Sequence, residues 1–418
     1  MSPGRVLRNR NFARLFFAGA ASIGGFSIGQ VAINYLVYTS THSSIDLAFT
    51  GVAFTLALVS LSLFAGTMVD RQDRRVLMMV CDGVRAVSLA LVAIALLFFG
   101  FNLWLVLVVS FILGAFSAVF QPAERAMIPS ILQKEELGDA NGLIQLTSSL
   151  AQAISNAAGG ALVVAVGAVL AIGLNSVTFL VSGLLIATVA TRLSSDVTKD
   201  PVQAKEKTSF VEDTREGMRY LVRTKGLLLL TVSSAFLNLF FAMVIPFFVV
   251  YTTDLLHGDA TTYGLFLALF ALGAAPGALL VGRTGAVRRA GLVWLLSAIC
   301  NGFQLIILVL IPVPLVAYPA IFLFGLFLGF ATTTWLSAVQ IIVPNEMQGR
   351  YFGIDQLGSF AILPVGQILG GLAIAAFGLS WSFGIAGAGF IVVSLVFLVF
   401  PDLRNLGYSV PVRHPDPQ

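Results

Sequence analysis

Gly66-Thr67-Met68-Val69-Asp70-Arg71-Gln72-Asp73-Arg74-Arg75 crowds five charged side chains into ten residues. Apolar runs flank it, over residues 47–69 and 76–99. A hydrocarbon core of roughly 30 Å is crossed by about 20 helical residues, so each run is long enough to span a bilayer and the charged stretch is the turn between two spans. Working outward, further runs lie at 12–38, 102–121, 140–165, 168–191, 226–251, 262–283, 290–311, 315–339, 351–376 and 381–400, which makes twelve spans. The runs are continuous rather than alternating, and in lipid each segment has to satisfy its own backbone, so helices are expected and not a barrel. Composition agrees: 58% hydrophobic and 11% charged residues leave too little polar surface to coat a soluble globule. A basic start followed by an apolar run imitates a signal peptide, but the run is too long and eleven more follow, so it reads as the first span.

The basic residues orient the chain. Of 24 Lys and Arg, only Arg85 falls deep inside a span. The others, from Arg5, Arg8, Arg10 and Arg14 through Arg71, Arg74 and Arg75, Arg125 and Lys134, the run from Arg192 to Lys225, Arg283, Arg288, Arg289, Arg350, Arg404 and Arg413, all fall on alternate connections. Positive charge in short loops stays on the cytoplasmic face during insertion, so both termini are expected there, in the inner or plasma membrane of a cell. The net charge of +4 therefore follows from topology and does not point to nucleic acid. Cys81 and Cys300 lie in or beside spans, far apart in sequence, and read as buried thiols rather than a disulfide. His42 and His257 fall in external loops and His414 in the tail. Metalloprotease, Walker and Ser-His-Asp patterns are absent, as are paired carboxylates at membrane depth, so neither an enzyme nor a self-contained ATP-driven pump is expected, and no cofactor or metal.

The chain repeats itself. Gly142, Gln145, Leu146, Ser148, Gly159, Gly160 and Gly167 match Gly353, Gln356, Leu357, Ser359, Gly370, Gly371 and Gly378 at one offset of 211 residues, and Gly66 matches Gly277 at the same offset. The polar interruption from Arg192 to Lys225 divides the spans six and six. The expected organisation is an N-terminal six-helix bundle over 1–191, a cytoplasmic linker over 192–225, a C-terminal six-helix bundle over 226–401 and a cytoplasmic tail over 402–418. In the linker, Ser194–Lys207 reads as a tether. Ser209 and Glu212 have capping-box spacing, with Met218, Leu221 and Val222 on one face of a short surface helix. Two pseudo-symmetric bundles suggest a path between them.

With its Gly, three further residues, Asp-Arg and a basic pair, Gly66–Arg75 resembles the signature loop of the major facilitator superfamily, and it stands on the second-to-third connection of a twelve-span chain. The resemblance implies that fold and transport by rocking one half against the other. It also implies a latch in which Gly66 permits close helix approach, while Asp70, with Arg71, Arg74 and Arg75 beside it, meets the start of span eleven at Arg350. The acid at the Asp70 position is missing from the second-half copy around Gly277, Gly282 and Arg283. Gln121-Pro122-Ala123-Glu124-Arg125-Ala126-Met127-Ile128-Pro129, read as following span four, together with Glu136-Leu137, Ala140–Leu143, Arg215–Leu221 and Pro344, Gly349, Arg350 and Gly353, resembles the macrolide-efflux and enterobactin-exporter branch. That resemblance implies export of small amphipathic molecules in exchange for protons. The chain departs from the branch at Ser155-Asn156 and Gly366-Gln367, where antiporters of this kind usually carry Gly-Pro before the Gly-Gly pair.

Polar residues in spans turn away from lipid. Span five carries a stripe of Gln145, Ser148, Ser149, Gln152, Ser155 and Asn156, and span eleven repeats it with Gln356, Ser359 and Gln367. The superfamily resemblance points spans one, four, seven and ten at a central cavity, with Gln30, Asn34, Phe116, Ser117, Phe120, Asn238, Phe241, Met243, Thr332–Thr334 and Trp335 as its lining and Gln152, Asn156 and Gln367 beside it. Amides, aromatics and a thioether suit an uncharged or amphipathic small molecule. Proton coupling needs a titratable group in the membrane, and the candidates are Asp82 with Arg85, and Asp355. A lipid or lysolipid carrier, an uncoupled facilitator and a non-transporting receptor or scaffold on the same fold are the alternatives. A path within one chain implies a monomer.

Overall fold

The computed structural model describes residues 3–133, 136–189, 210–284 and 286–407. The Ser194–Lys207 tether, Ser209 and the side chain of Glu212, most of the tail, and the side chains of Asp70, Arg283 and Gln356 lie outside the described residues. Among the described residues every regular element is a helix, and twelve helical segments are long and apolar enough to cross a membrane.

The first six are α1 (Arg10–Thr41), α2 (Ser44–Arg71), α3 (Arg74–Phe99), α4 (Leu103–Ile131), α5 (Leu137–Val166) and α6 (Ala168–Ala187). Short polar side chains in the connections start them. Asn9, Ser43, Asp73 and Asn102 each accept a hydrogen bond from the first backbone N–H groups of the helix that follows, groups with no partner inside the helix. Then come α7 (Phe210–Arg223), α8 (Lys225–Ala242), a single turn α9 (Phe248–Val250), α10 (Ala260–Thr284), α11 (Ala290–Leu310), α12 (Pro314–Ile342), α13 (Asn345–Phe360), α14 (Leu363–Phe377), α15 (Leu379–Leu398) and the short α16 (Pro401–Arg404).

Three features differ from the sequence expectation. First, α4 does not stop at residue 121 but continues through Pro122 and Pro129 to Ile131, because Ala123, Met127 and Ile128 continue its buried face. Second, the seventh span is broken: α8 ends at Ala242, and a 3-10 turn at Ile245–Phe247 and a wide π turn at Tyr251–Leu255 complete the crossing. Pro246, which has no N–H to donate, stands in the break. Third, span eleven is split between α13 and α14 just ahead of Pro364, by the same chemistry. The helix α7 packs on the protein by one edge. Leu221 is 3% exposed, but Met218 and Val222 are about half exposed, since the helix docks along its Gly217–Leu221 edge, with Gly217 against Ile354 and Arg350 of α13.

The residues form two compact units. One is drawn from Met1–Gln203, Ile245–Ala271 and Gln367–Leu379, the other from Ala204–Val244, Leu272–Gly366 and Ser380–Gln418. The first is built on α1–α6, with Phe12, Leu15, Met78, Cys81, Phe120 and Met127 in its core. At the end away from the Arg-rich connections, segments of the second sequence half join it. Tyr38 donates to Asp254, the Asn34 amide to Tyr263 Oη at 3.1 Å, Ser44 Oγ to the Gly371 carbonyl at 2.8 Å, and the Gln367 amide to Thr55 Oγ1 at 3.0 Å. Two glycines at the repeat offset make this junction tight: Gly160 lies against the Ala260 carbonyl and Gly371 against the Ser44 carbonyl, with no room at either for a side chain. The repeat also shows in the backbone, where Gly167 and Gly378 hold φ values of 85° and 86° at equivalent turns.

The second unit packs α11 against α12 and α8 against α13. Its Gly277 on α10 lies against the Leu326 carbonyl and Phe330 nitrogen of α12. Gly66, the repeat partner expected to permit close approach, has nothing within 4 Å of where a side chain would begin. In this structure the close crossing belongs to the second copy. Gly66→Ala is therefore expected to be neutral or to raise stability by about 1 kcal/mol through helix propensity. Gly277→Leu is expected to lower it by about 1–3 kcal/mol through overpacking. Thermal unfolding of the two purified variants reads the difference.

Candidate functional site

Asp82 and Arg85 lie one turn apart on α3 and point into the core of the first unit, 0% and 4% exposed. Arg85 Nη1 donates to Asp82 Oδ1 at 3.2 Å and to Ser22 Oγ at 3.3 Å, and Nη2 to Ser117 Oγ at 3.2 Å. The guanidinium carbon lies 4.9 Å from the Phe120 ring centre and 5.4 Å from that of Phe179. Those faces favour a cation where water is absent. Asp82 Oδ2 and Arg85 Nε have no hydrogen-bond partner among the described residues. The two charges neutralise one another, which is how an ion pair persists at membrane depth.

A third charged group stands close by. Because α4 continues to Ile131, Glu124 is part of a membrane helix, not of the loop where a span ending at 121 would leave it. Gly19 of α1 leaves the space its carboxylate occupies, and a methyl group there would overlap Oε1. Arg125, Asp82 and Arg85 are the charges that act on it. Among the described residues Glu124 has no hydrogen bond or ion pair. Arg125 is exposed, and Arg85 is already committed to Asp82.

Asp355 of α13 is 3% exposed and accepts from Thr231 Oγ1 at 2.9 Å and Ser359 Oγ at 3.2 Å, with the Tyr351 hydroxyl 3.2 Å from Thr231 Oγ1. Unlike Asp82, it has hydroxyls and no cation as partners among the described residues.

The amides and aromatics expected to line a path divide between the units. In the first, Gln30 is half-buried, Gln152 is exposed, and Asn34 and Gln367 are engaged at the junction described above. Asn156 is buried, its carbonyl against Gly264 of α10. Asn156 and Gln367 are repeat equivalents and both face helices of the other sequence half. In the second unit, the Asn238 amide donates to the Ser359 carbonyl at 2.8 Å, tying α8 to α13. Phe241 stacks on Phe324 at 6.5 Å between ring centres, and Met243 is buried. Trp335 meets Phe352 edge to face, with its ring nitrogen unpartnered.

Two basic residues of the Gly66–Arg75 connection hold helix carbonyls of their own unit. Arg74 Nη1 donates to the Ala126 carbonyl of α4 at 2.7 Å, and Arg75 to the carbonyl of Ala187, the last residue of α6, where the helix dipole favours a cation. Arg71 is exposed. Arg350 forms an ion pair with Glu216 of α7.

Comparison with known proteins decides the family. The sequence pattern of the transmembrane secretion effectors matches residues 1–410. This chain belongs to that family. It is thus a major facilitator transporter and not an enzyme. Among its relatives, YkuC of Bacillus subtilis, an uncharacterized transporter of the superfamily, is 33% identical over a match that spans 53% of this chain and 51% of that one. Macrolide efflux protein A of Streptococcus pyogenes is 25% identical, over 94% of this chain and 97% of that one. Multidrug efflux pump Tap of Mycobacterium tuberculosis is 27% identical, over 96% of each. Among solved structures, the nucleoside transporter NupG superposes with a TM-score of 0.74 at 11% identity, over 93% of this chain and 98% of that one. A bacterial homologue of the human lysosomal transporter Spinster gives 0.75 at 12% identity, over 95% and 97%. At such identities these two share the fold alone.

The buried pair yields a stability prediction for this secretion effector. Arg85→Leu leaves Asp82 uncompensated and is expected to destabilise the protein by about 3–5 kcal/mol, whereas Asp82→Leu with Arg85→Leu is expected to recover most of that loss. Thermal unfolding in detergent separates the two.

Proposed function

We propose that this secretion effector exports small amphipathic molecules, of the drug, macrolide or siderophore kind, across a cell membrane by alternating access, in exchange for protons. The efflux relatives support the direction and the cargo class, and the alternate placement of basic connections supports cytoplasmic termini. The observation that carries proton coupling is Asp355, a buried carboxylate held by two hydroxyls and no cation. Such a group is neutral only with a proton, so taking up and releasing one changes the charge of α13. Asp82, already matched by Arg85, serves structure in this reading. Gln30, Asn34, Asn238, Phe241 and Trp335 are assigned to cargo contact, with Met243, Gln152, Asn156 and Gln367 in support. Gly66–Arg75 and Arg350 are assigned to the latch of the transport cycle, and one chain suffices to transport.

The test is uptake into proteoliposomes of a macrolide, a lipophilic dye, a catecholate siderophore and a lysophospholipid, with and without an acid interior. One proton exchanged per neutral cargo supports about tenfold accumulation per pH unit. One of the first three cargoes is expected to approach that ratio, and Asp355→Asn is expected to reduce it to simple equilibration. Uptake indifferent to the gradient would sink proton coupling, and uptake of the lysophospholipid alone would make the protein a lipid carrier.

A further inference from the structure

The helix α7 presents three different edges. Gly217 and Leu221, four residues apart, form its buried edge, where Gly217 meets Ile354 and Arg350 of α13. Glu216, beside that edge, pairs with Arg350, so its charge is matched. The other side of the helix is exposed and carries two parallel rows. Met218 and Val222 make an apolar row, 46% and 54% exposed. Arg215, Arg219 and Arg223 make a basic row next to it, at spacings of four that keep them on one side. Among the described residues none of the three arginines has an ion pair. The remaining acids of the helix, Glu212 and Asp213, stand in its first turn, at the end away from α8.

Such a surface is unfavourable in water. Like charges four residues apart repel and weaken a helix, and the apolar row stays wet. Both terms reverse at the boundary of an anionic bilayer. Phosphate oxygens accept paired N–H groups from a guanidinium, and the apolar row enters the layer between headgroups and acyl chains. The chain brings α7 to that boundary. Only Thr224 separates it from α8, and the non-helical backbone of Thr224 turns the chain where the span begins at Lys225. The basic surface also continues beyond α7. Gly226 of α8 lies against the Asp402 carbonyl and Gly291 of α11 against that of Leu403, which gathers the exposed Lys225, Arg288, Arg289 and Arg404 at one end of the second unit. We propose that the outer side of α7 is a docking surface for anionic phospholipid of the membrane that the protein spans. The phosphates sit on Arg215, Arg219 and Arg223, and Met218 and Val222 are seated beneath them. An acidic protein would match the arginines as well, but an apolar row leading directly into a membrane span favours lipid.

The experiment measures amide hydrogen exchange along α7 in the purified full chain, in nanodiscs of phosphatidylglycerol and in nanodiscs of the zwitterionic phosphatidylcholine. Each basic residue near an anionic surface gains a factor of about five, so exchange in the last two turns of α7 is expected to be about tenfold or more slower in phosphatidylglycerol. Arg215→Gln, Arg219→Gln and Arg223→Gln together are expected to abolish that difference. Met218→Ser with Val222→Ser, which keeps the charge, is expected to speed exchange in both lipids. Thermal unfolding of both variants confirms that they fold, and exchange within α8 serves as the internal reference. Equal exchange of the unaltered protein in the two lipids would overturn the proposal and leave the arginine row to an acidic protein. A difference that survives the triple Gln substitution, or exchange unmoved by the two Ser substitutions, would overturn it as well. No cargo is used, so the outcome is independent of the export reading.

Discussion

Helices inside a bilayer gain little by hiding apolar side chains from one another, because the surrounding lipid is just as apolar. What holds them is close approach of backbones and the few hydrogen bonds made there. The junction within the first unit shows this constraint plainly. Gly160 and Gly371 let helix backbones touch carbonyls of Ala260 and Ser44, and around these crossings Tyr38, Asn34, Ser44 and Gln367 find polar partners. Backbone contact of this kind leaves no compliant side chain to stretch, so the crossing admits little adjustment.

Charge obeys the same economy. Asp82 and Arg85 share a dry site because each neutralises the other and Ser22, Ser117 and two aromatic rings complete their surroundings. Asp355 is compensated by hydroxyls alone, and Glu124 has no hydrogen bond or ion pair among the described residues, with Arg125 the leading positive charge acting on it. Three embedded carboxylates thus occupy three different environments. Their differences come from neighbours contributed by other helices, not from the residue type.

Much of the fold was legible because lipid imposes a simple code. Continuous apolar runs, basic connections on alternate sides and a repeat at one offset identify the spans without reference to packing. The failures have one cause. Gln121-Pro122 looks like a stop in a soluble context, yet a membrane helix tolerates proline where neighbouring groups meet the freed carbonyls, so α4 ran on and carried Glu124 into the bundle. Pro246 and Pro364 did interrupt their spans, and nothing local distinguishes the two outcomes. The i, i+3 spacing of Asp82 and Arg85 made their pairing readable. The partner Thr231 of Asp355, and the Gly19 of α1 that makes room for Glu124, come from helices distant in sequence, and a single chain read alone does not reveal them. Gly66 and Gly277 carry the same residue at the same repeat position, but only their surroundings show which one is crossed.

Arg74 and Arg75 join two stages in the life of the chain. During synthesis, basic residues in such a connection are what the insertion machinery reads to keep a loop on its own side. In the finished protein the same guanidinium groups hold a carbonyl of α4 and the carbonyl end of α6. The address label is thus kept as a fastening. Removing either charge is therefore felt twice, once in the signal that orients the loop and once in a helix carbonyl left without its partner.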